Sequence, residues 1–175
     1  MFRILPFILL IGVASSAACA QTASGDSAPI AATSNASARC VVERIIDGDT
    51  FICEGDTRIR LLIVDADEPD QSVYADSATM LLEQLMPVGS TVRLEYDLQT
   101  HDRYRRVLAY VHAGDRFVNR ELARRGLARI AVYPPNVKRV DELRAAADSA
   151  QMERIGVWSS SAFECEPRAW RAGRC

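Results

Sequence analysis

The sequence has no excess of positive charge. Its 175 residues include 21 Lys and Arg against 23 Asp and Glu, which gives a formal net charge of −2. Proteins that hold nucleic acid through a general electrostatic surface are usually basic. The composition therefore argues against such a surface, and any site for a polyanion has to be local.

The sequence also lacks an apolar run long enough to span a bilayer. Its one continuous apolar stretch, Ile4 to Val13, is too short, and it follows a basic start and precedes a small-residue cleavage site, Ala18-Cys19-Ala20. We predict that residues 1–20 are a signal peptide and that the protein is secreted or periplasmic. The alternative is a lipoprotein acylated at Cys19. It ranks second because a serine, not an aliphatic residue, stands three positions before the cysteine.

Histidine is scarce, with only His101 and His112. A zinc site is therefore the weaker explanation of the four cysteines beyond the signal peptide, whose spacing fits no usual ligand pair. An even number of cysteines in an exported chain is typical of disulfides. Cys40 with Cys53 and Cys165 with Cys175 are the candidate pairs, and the other two connectivities stay open.

The chain divides by composition into four parts. After the signal peptide, residues 21–39 are rich in Ala, Ser and Thr and have almost no large apolar side chain, so we predict a flexible linker. Residues 40–160 contain the apolar content of one domain, and residues 161–175 form a cysteine-containing tail.

Hydrophobic periodicity predicts a mainly β domain of the α+β class. Strands are predicted over about 40–46, 50–54, 57–64, 90–97 and 106–111, with a further extended segment over 127–132. Helices are predicted over 72–86, 117–125 and 136–155. Five strands with a helix between the third and fourth predict a five-stranded OB-fold Greek-key barrel with three α-helices.

Two of the predicted strands end in carboxylates. The first leads into Asp47-Gly48-Asp49, and the second, which contains Arg60, leads into Asp65. If these strands are neighbours, Asp49 and Asp65 converge, and Arg60 needs an anionic partner because burying an unpaired guanidinium is costly. Carboxylates and an arginine on rigid strands suit a hard cation and a phosphate. The alternative is ordinary turn chemistry, since Asp-Gly is a common hairpin signal.

Five segments together resemble the staphylococcal nuclease (thermonuclease) family: IDGDTF, IRLLIVDADE, DRYRRVLAYV, VNRELARRGLA and GVWS. They occur in the family's order over roughly residues 40–160. The resemblance implies an OB barrel with three helices. It also implies Ca²⁺-dependent hydrolysis of phosphodiester bonds in DNA and RNA with little sequence specificity, with single-stranded or unpaired regions preferred.

The resemblance also implies roles for individual residues. Asp49, Asp65 and the backbone carbonyl of Ala66 match the calcium ligands, and calcium takes oxygen ligands of these kinds. Glu68 matches the glutamate that activates the attacking water.

The implied substrate contacts come from four further side chains. Arg60 and Arg106 match the two arginines that bind the phosphate, where bidentate guanidinium groups can stabilise the charge that builds during hydrolysis. Tyr104 matches an aromatic side chain beside the bound nucleotide, and Tyr133 lies near a second one, in a segment one residue shorter than that of the family.

The sequence departs from the family pattern around Glu68 and at Arg105. Asp67 stands where a proline usually precedes the glutamate, and the proline is displaced to Pro69. This predicts a loss of rigidity at Glu68 and an added negative charge. Arg105 replaces a glycine that commonly precedes the second arginine, which predicts a different turn geometry.

Two other functions compete with a nuclease. One is a non-catalytic SNase-like module that binds nucleic acid or a partner protein, and the other is an envelope-associated structural domain. Retention of the whole carboxylate and arginine set favours the nuclease over both. No spare apolar face stands out in the sequence, so we expect a monomer.

Overall fold

The computed structural model describes residues 37–175, with only the backbone of residue 163. The predicted signal peptide, Cys19 and most of the predicted linker lie outside the described residues. The first strand begins at Ser37, inside the segment predicted to be the linker.

The described chain contains eight strands and four α-helices. The strands are β1 (Ser37–Ile45), β2 (Thr50–Cys53), β3 (Thr57–Leu61), β4 (Val64–Ala66), β5 (Thr91–Glu95), β6 (Val107–Ala113), β7 (Arg116–Phe117) and β8 (Ala128–Ile130). The helices are α1 (Val73–Leu85), α2 (Val118–Arg124), α3 (Val140–Met152) and α4 (Pro167–Arg171). Two short 3₁₀ helices, Gly156–Ser159 and Ser161–Glu164, connect α3 to α4.

Five strands close into a barrel. The sheet order is β3-β2-β1-β5-β6-β7, and a parallel pairing of β3 with β6 joins its ends. The other pairings among the barrel strands are antiparallel. With α1 inserted between the third and fourth barrel strands, this is the OB fold, and the predicted fold class is confirmed.

The strand predicted over 57–64 is interrupted. Ile63 has a φ of 66°, in the left-handed region that a β-branched side chain rarely adopts, so β3 ends at Leu61 and the chain turns. The following strand, β4, leaves the barrel and pairs with β8. This turn brings the acidic segment after β4 against the barrel wall.

The third helix is shorter than predicted at both ends, and its first residue is Val140 instead of residue 136. The Asn136 side chain accepts a hydrogen bond from the backbone N–H of Gln99 and donates one to the Gln99 carbonyl, both at 2.8 Å. These two bonds hold the segment before α3 as a loop against the end of β5.

The barrel interior follows from strand periodicity. Alternate residues on β1, β3 and β5 face inward, including Val42, Ile59, Leu61, Val92 and Leu94, all nearly inaccessible to solvent. One face of α1 covers the barrel with Ala75, Ala78, Leu81 and Leu82. Burial of each large aliphatic side chain stabilises the fold by about 1.5–3 kcal/mol.

The four cysteines form two disulfides. Cys40 is bonded to Cys53 across β1 and β2, and Cys165 is bonded to Cys175 around α4. The segment 161–175, predicted only as a tail, is therefore a short helix inside a closed loop. The longest described helices, α1 and α3, have 13 residues each, and residues 37–175 contain no candidate for a membrane-spanning helix.

Gly48 lies where the turn between β1 and β2 passes under α1. A Cβ atom at this position would lie 2.5 Å from the Cβ of Ala78 and 2.7 Å from the Cβ of Ala66. The turn that carries Asp47 and Asp49 is therefore fixed by close contact with α1 and β4, and glycine is required there for its size.

We expect Gly48→Ala to lower the free energy of unfolding by about 1–3 kcal/mol, because the added methyl group overpacks this contact. Chemical denaturation would measure the loss. Ala78→Gly removes one of the two atoms that the added methyl group would clash with. The double variant should therefore lose less stability than the two single variants lose together. Strict additivity would show that the clash is not with Ala78.

Candidate active site

Arg60 is the most highly connected side chain of the site. It extends from β3 into the barrel wall, where only 12% of its side chain is exposed. Its Nη2 atom lies 2.7 Å from Asp65 Oδ1 and 2.9 Å from Asp49 Oδ2, and its Nη1 donates to the carbonyls of Leu61 and Val64, both at 2.6 Å. The guanidinium thus has the anionic partners that its burial requires.

The left-handed turn at Ile63 positions two of the four oxygen acceptors that contact Arg60. It directs the carbonyls on either side of it, those of Leu61 and Val64, toward the same nitrogen of Arg60. The Ile63 carbonyl accepts a hydrogen bond from the Ala131 N–H at 2.8 Å, which ties the turn to the segment after β8. Backbone strain of this kind persists only where surrounding contacts fix it, and it is frequent at functional sites.

Asp49 is held by hydrogen bonds on both carboxylate oxygens. Oδ1 accepts from the Thr50 hydroxyl and Oδ2 accepts from the backbone N–H of Ala66, both at 3.0 Å. Asp47 in turn accepts a bond from the Asp49 N–H at 3.0 Å. The β1–β2 turn and β4 are therefore joined at this carboxylate, and the expected convergence of Asp49 and Asp65 occurs at the guanidinium of Arg60.

The two carboxylates are buried, and burial raises the pKa of Asp49 and of Asp65 above the usual range. The opposing effect of Arg60 on both, together with that of Arg171 on Asp65, only partly offsets this rise. A bound cation would therefore favour the ionised form of both carboxylates.

The donor atoms here suit a hard cation such as Ca²⁺. Within residues 37–175, no three His, Cys, Asp or Glu side chains are grouped as a complete metal site. A cation between Asp49 and Asp65 would therefore need backbone carbonyls and water as further ligands, which Ca²⁺ accepts readily. The predicted carbonyl ligand belongs to Ala66, whose N–H already contacts Asp49.

Asp67 does not add a free negative charge to the site, contrary to one of the sequence expectations. Its carboxylate is fully buried, forms an ion pair with Arg129, and accepts a hydrogen bond from the Ser72 hydroxyl at 2.5 Å. A third contact comes from the Gln71 amide at 3.3 Å. The charge is thus balanced inside the protein.

Glu68 is held although no proline precedes it. Its backbone N–H donates to Gln71 Oε1 at 2.9 Å, and its carboxylate forms an ion pair with Arg171 from the C-terminal loop. The predicted loss of rigidity is therefore offset by side-chain contacts.

Asp102 organises the loop that carries Arg106. One oxygen accepts from the backbone N–H groups of Tyr104 at 2.8 Å and Arg106 at 3.0 Å, and the other accepts from Arg106 Nε at 2.7 Å. Burial alone would raise the pKa of Asp102, but the bonds from Arg106 outweigh it and lower the pKa. Arg106 is therefore fixed from both its backbone and its side chain.

Arg105 has a φ of 68°, in the left-handed region that glycine adopts most readily. The arginine therefore holds this conformation at an energetic cost. A difference in turn geometry from a chain with glycine at this position stays a prediction.

The two tyrosines lie at the rim. Tyr104 is 64% exposed and Tyr133 is 60% exposed. The guanidinium groups of Arg103 and Arg106 lie 4.8 Å and 5.6 Å from the centre of the Tyr104 ring, which orients the ring beside Arg106.

One cavity of about 790 Å³ joins almost all the predicted side chains. Its walls include Asp49, Arg60, Asp65, Glu68, Tyr104, Arg106 and Tyr133. Ala66 is the exception, since it is buried behind Asp49 and does not line the cavity. The arrangement can bind a phosphate beside a cation and place a carboxylate next to both.

Sequence reasoning missed two arginines. Arg129 sits in β8 between apolar neighbours, and this is the same signal that identified Arg60, so it could have been found. Arg171 has no comparable signal in the sequence. It lies 103 residues after Glu68 and contacts it only because the C-terminal loop docks there.

Comparison with known proteins finds relatives that are named as nucleases. Residues 58–160 match the family model described as Staphylococcal nuclease homologue. Thermonuclease of Staphylococcus intermedius is 40% identical over 126 residues, covering 67% of this chain and 74% of the relative. Thermonuclease of Staphylococcus hyicus is 39% identical over 127 residues, which cover 68% of this chain and 75% of the relative. Endonuclease YncB of Bacillus subtilis is 37% identical over 133 residues, which cover 70% of this chain and 62% of the relative.

We expect Arg105→Gly to raise the free energy of unfolding by about 1 kcal/mol, because glycine adopts the left-handed conformation without the Cβ clash. Thermal or chemical unfolding would measure the change. Arg105→Ala is the matched control, since it removes the same charge but keeps the Cβ. Equal stabilisation by both variants would attribute the gain to charge and contradict the strain explanation.

Proposed function

The chain belongs to the staphylococcal nuclease family, and from this membership and the geometry of the cavity we propose that it is a Ca²⁺-dependent nuclease. It would hydrolyse phosphodiester bonds of DNA and RNA with little sequence specificity. The observation that carries the proposal is the presence of Asp49, Arg60, Asp65, Glu68 and Arg106 in the walls of one cavity.

We assign the metal ligands to Asp49, Asp65 and the backbone carbonyl of Ala66. When bound, Ca²⁺ would supply stabilisation of negative charge on the phosphoryl oxygens. Both carboxylates are buried and hydrogen-bonded, and burial raises their pKa values, so a bound cation would stabilise their ionised form, which supports this assignment.

Arg60 and Arg106 would bind the phosphate of the scissile bond. Arg60 has five N–H donors in a fixed fork, so it can bind a phosphate oxygen while keeping its contacts with the carbonyls of the Ile63 turn. The Asp102 contact of Arg106 uses Nε, and its two Nη groups would donate to the phosphate. Positioned guanidinium groups are more effective than mobile ones, because they need no reorganisation as charge develops.

Glu68 would orient the attacking water and accept its proton. The carboxylate lines the same cavity as the two arginines and remains partly exposed, so a water molecule can reach it. A base acts through one hydrogen bond to the proton that it removes, which requires a defined side-chain position.

The rim tyrosines would contact the bases. Tyr104 and Tyr133 expose their rings at the cavity that holds the arginines. Stacking on an aromatic ring needs an unstacked base and is tolerant of base identity. This supports a preference for single-stranded or unpaired substrate and a low sequence specificity.

We propose that the protein acts as a monomer after export, in the periplasm or outside the cell. The two disulfides support this location, since such bonds persist in oxidising compartments. In this assignment residues 1–20 are the signal peptide, residues 21–39 are mainly linker, and the nuclease domain is followed by the disulfide-closed loop.

We expect the purified protein to cut single-stranded DNA in Ca²⁺ and to stop when a chelator is added. Glu68→Gln should lower kcat by about 10²–10⁴-fold, because proton transfer to the base is lost. Arg106→Ala should lower it by about 10²-fold or more, because it removes a preorganised donor. Initial rates on a fluorescent oligonucleotide would measure both.

Arg125→Ala serves as the control, because Arg125 is an exposed residue that contacts Glu121 rather than the cavity. It should retain wild-type turnover. Wild-type protein that binds the oligonucleotide in Ca²⁺ without cutting it would refute the nuclease proposal and support the non-catalytic binding module.

We expect Ca²⁺ to stabilise the fold, because it binds the native carboxylate pair and not the unfolded chain. The gain is about 2.7 kcal/mol at a concentration 100 times the Kd, and a thermal melt with added Ca²⁺ would detect it as a rise in Tm. Asp49→Asn should abolish most of this rise.

Asp70→Asn is the matched control for the melt, since Asp70 is exposed in the same acidic segment. It should leave the Ca²⁺-dependent rise unchanged. An equal Ca²⁺ response in Asp49→Asn and wild type would exclude Asp49 as a ligand.

A further inference from the structure

The C-terminal loop places two further arginines in the walls of the cavity, Arg168 and Arg171. Arg171 ends α4 inside the loop closed by the Cys165–Cys175 disulfide, and it lines the same cavity as Arg60 and Arg106. Its Nη1 forms an ion pair with Glu68 Oε1, and its Nη2 lies 3.4 Å from Asp65 Oδ2. This residue lies outside the region matched by the family, which ends at residue 160.

The loop is docked through the residues around Asp67. The Gln71 amide donates to the Cys165 carbonyl at 2.8 Å, and Arg129 Nη2 donates to the Ala162 carbonyl at 2.6 Å. Gln71 and Arg129 also contact the buried carboxylate of Asp67. The position of the loop is therefore set by side chains adjacent to Glu68.

We propose that Arg171 is a positioning residue that holds the carboxylate of Glu68 in the cavity. Glu68 is partly exposed on a non-helical segment, so its side chain would otherwise sample several rotamers. A charge-assisted hydrogen bond from a guanidinium restricts that freedom and is stronger than a neutral one. This role rests on the proposed function, because it requires Glu68 to act on the attacking water.

The loop leaves the cavity open. The cavity has a volume of about 790 Å³ with Arg171 in its wall, and 44% of the Arg171 side chain remains exposed. Arg171 therefore borders the space that a phosphodiester would enter and does not fill it. This geometry favours positioning over blockage.

The first test compares three variants by steady-state cleavage of a single-stranded oligonucleotide in Ca²⁺. Arg171→Ala should lower kcat by about 10- to 100-fold with little change in KM, the usual size of effect for a residue that supports a catalytic group. Arg171→Lys should recover part of the loss, because an ammonium group can contact Glu68 but cannot span both carboxylates. Arg174→Ala, which removes a charge from the same loop, should match the wild type.

A double variant separates positioning from other roles. If Arg171 acts through Glu68, then adding Arg171→Ala to Glu68→Gln should cause no further loss of kcat. A wild-type kcat in Arg171→Ala would overturn the proposal. A higher kcat would also overturn it and would show that the loop blocks the site.

Opening the loop provides an independent variant. Replacing Cys165 and Cys175 together by serine removes the covalent closure but keeps Arg171, and kcat should fall toward that of Arg171→Ala. Unchanged turnover in this variant would show that the disulfide has no part in holding the arginine.

Trypsin gives a readout that does not depend on cleavage of DNA. Nicking after Arg171 within the disulfide loop can be followed by mass spectrometry, and Glu68→Gln should accelerate it while leaving the rate at Arg174 unchanged. Equal rates of tryptic cleavage after Arg171 in wild type and Glu68→Gln would contradict the Arg171–Glu68 contact and overturn the proposal. An inactive wild type with a protected Arg171 would instead refute the nuclease function and leave the contact intact.

Discussion

Arg60 carries a charge into the wall of a closed barrel, and the site is arranged around the need to balance it. The two carboxylates that share its Nη2 come from different elements, one from the turn after β1 and one from β4, so the guanidinium joins that turn to β4. The left-handed residue Ile63 supplies two carbonyls to the other nitrogen. The contacts of this one side chain therefore depend on charge balance, on backbone strain and on the sheet topology.

A second buried pair, Asp67 with Arg129, lies behind the first and gives the acidic segment its stiffness. Burial of an ion pair is not by itself a source of stability, but loss of one partner leaves a charge without compensation. The pair therefore fixes the course of the chain from Asp65 to Glu68. Contacts from Gln71 and Ser72 add to it, so the segment is rigid without a proline next to Glu68.

Local patterns were sufficient to predict the barrel, since strand alternation, Asp-Gly turns and the helical stripe of α1 are each properties of a few adjacent residues. The same is true of the pairing of Arg60 with nearby carboxylates, because a charge in an aliphatic strand needs a partner. The interruption at Ile63 could not be predicted, because its side chain suits a strand and only the pairing of β4 with β8 overrides that preference. The partners of Asp67 and Glu68 lie 62 and 103 residues away, and no local pattern encodes such contacts.

Because the C-terminal loop docks beside Glu68, the functional part of this protein includes that loop. The last barrel strand ends at Ala113 and the family match ends at residue 160, yet the charge of Glu68 and the amide of Gln71 are satisfied by residues beyond both. A chain shortened at residue 160 would keep every barrel strand and every predicted site residue, but Glu68 would lose its ion-pair partner. It would also present a more negative cavity, because the lining residues Arg168 and Arg171 would be lost where a polyanion has to approach. In this protein a short covalent ring therefore serves as part of the electrostatic wall of the cleft.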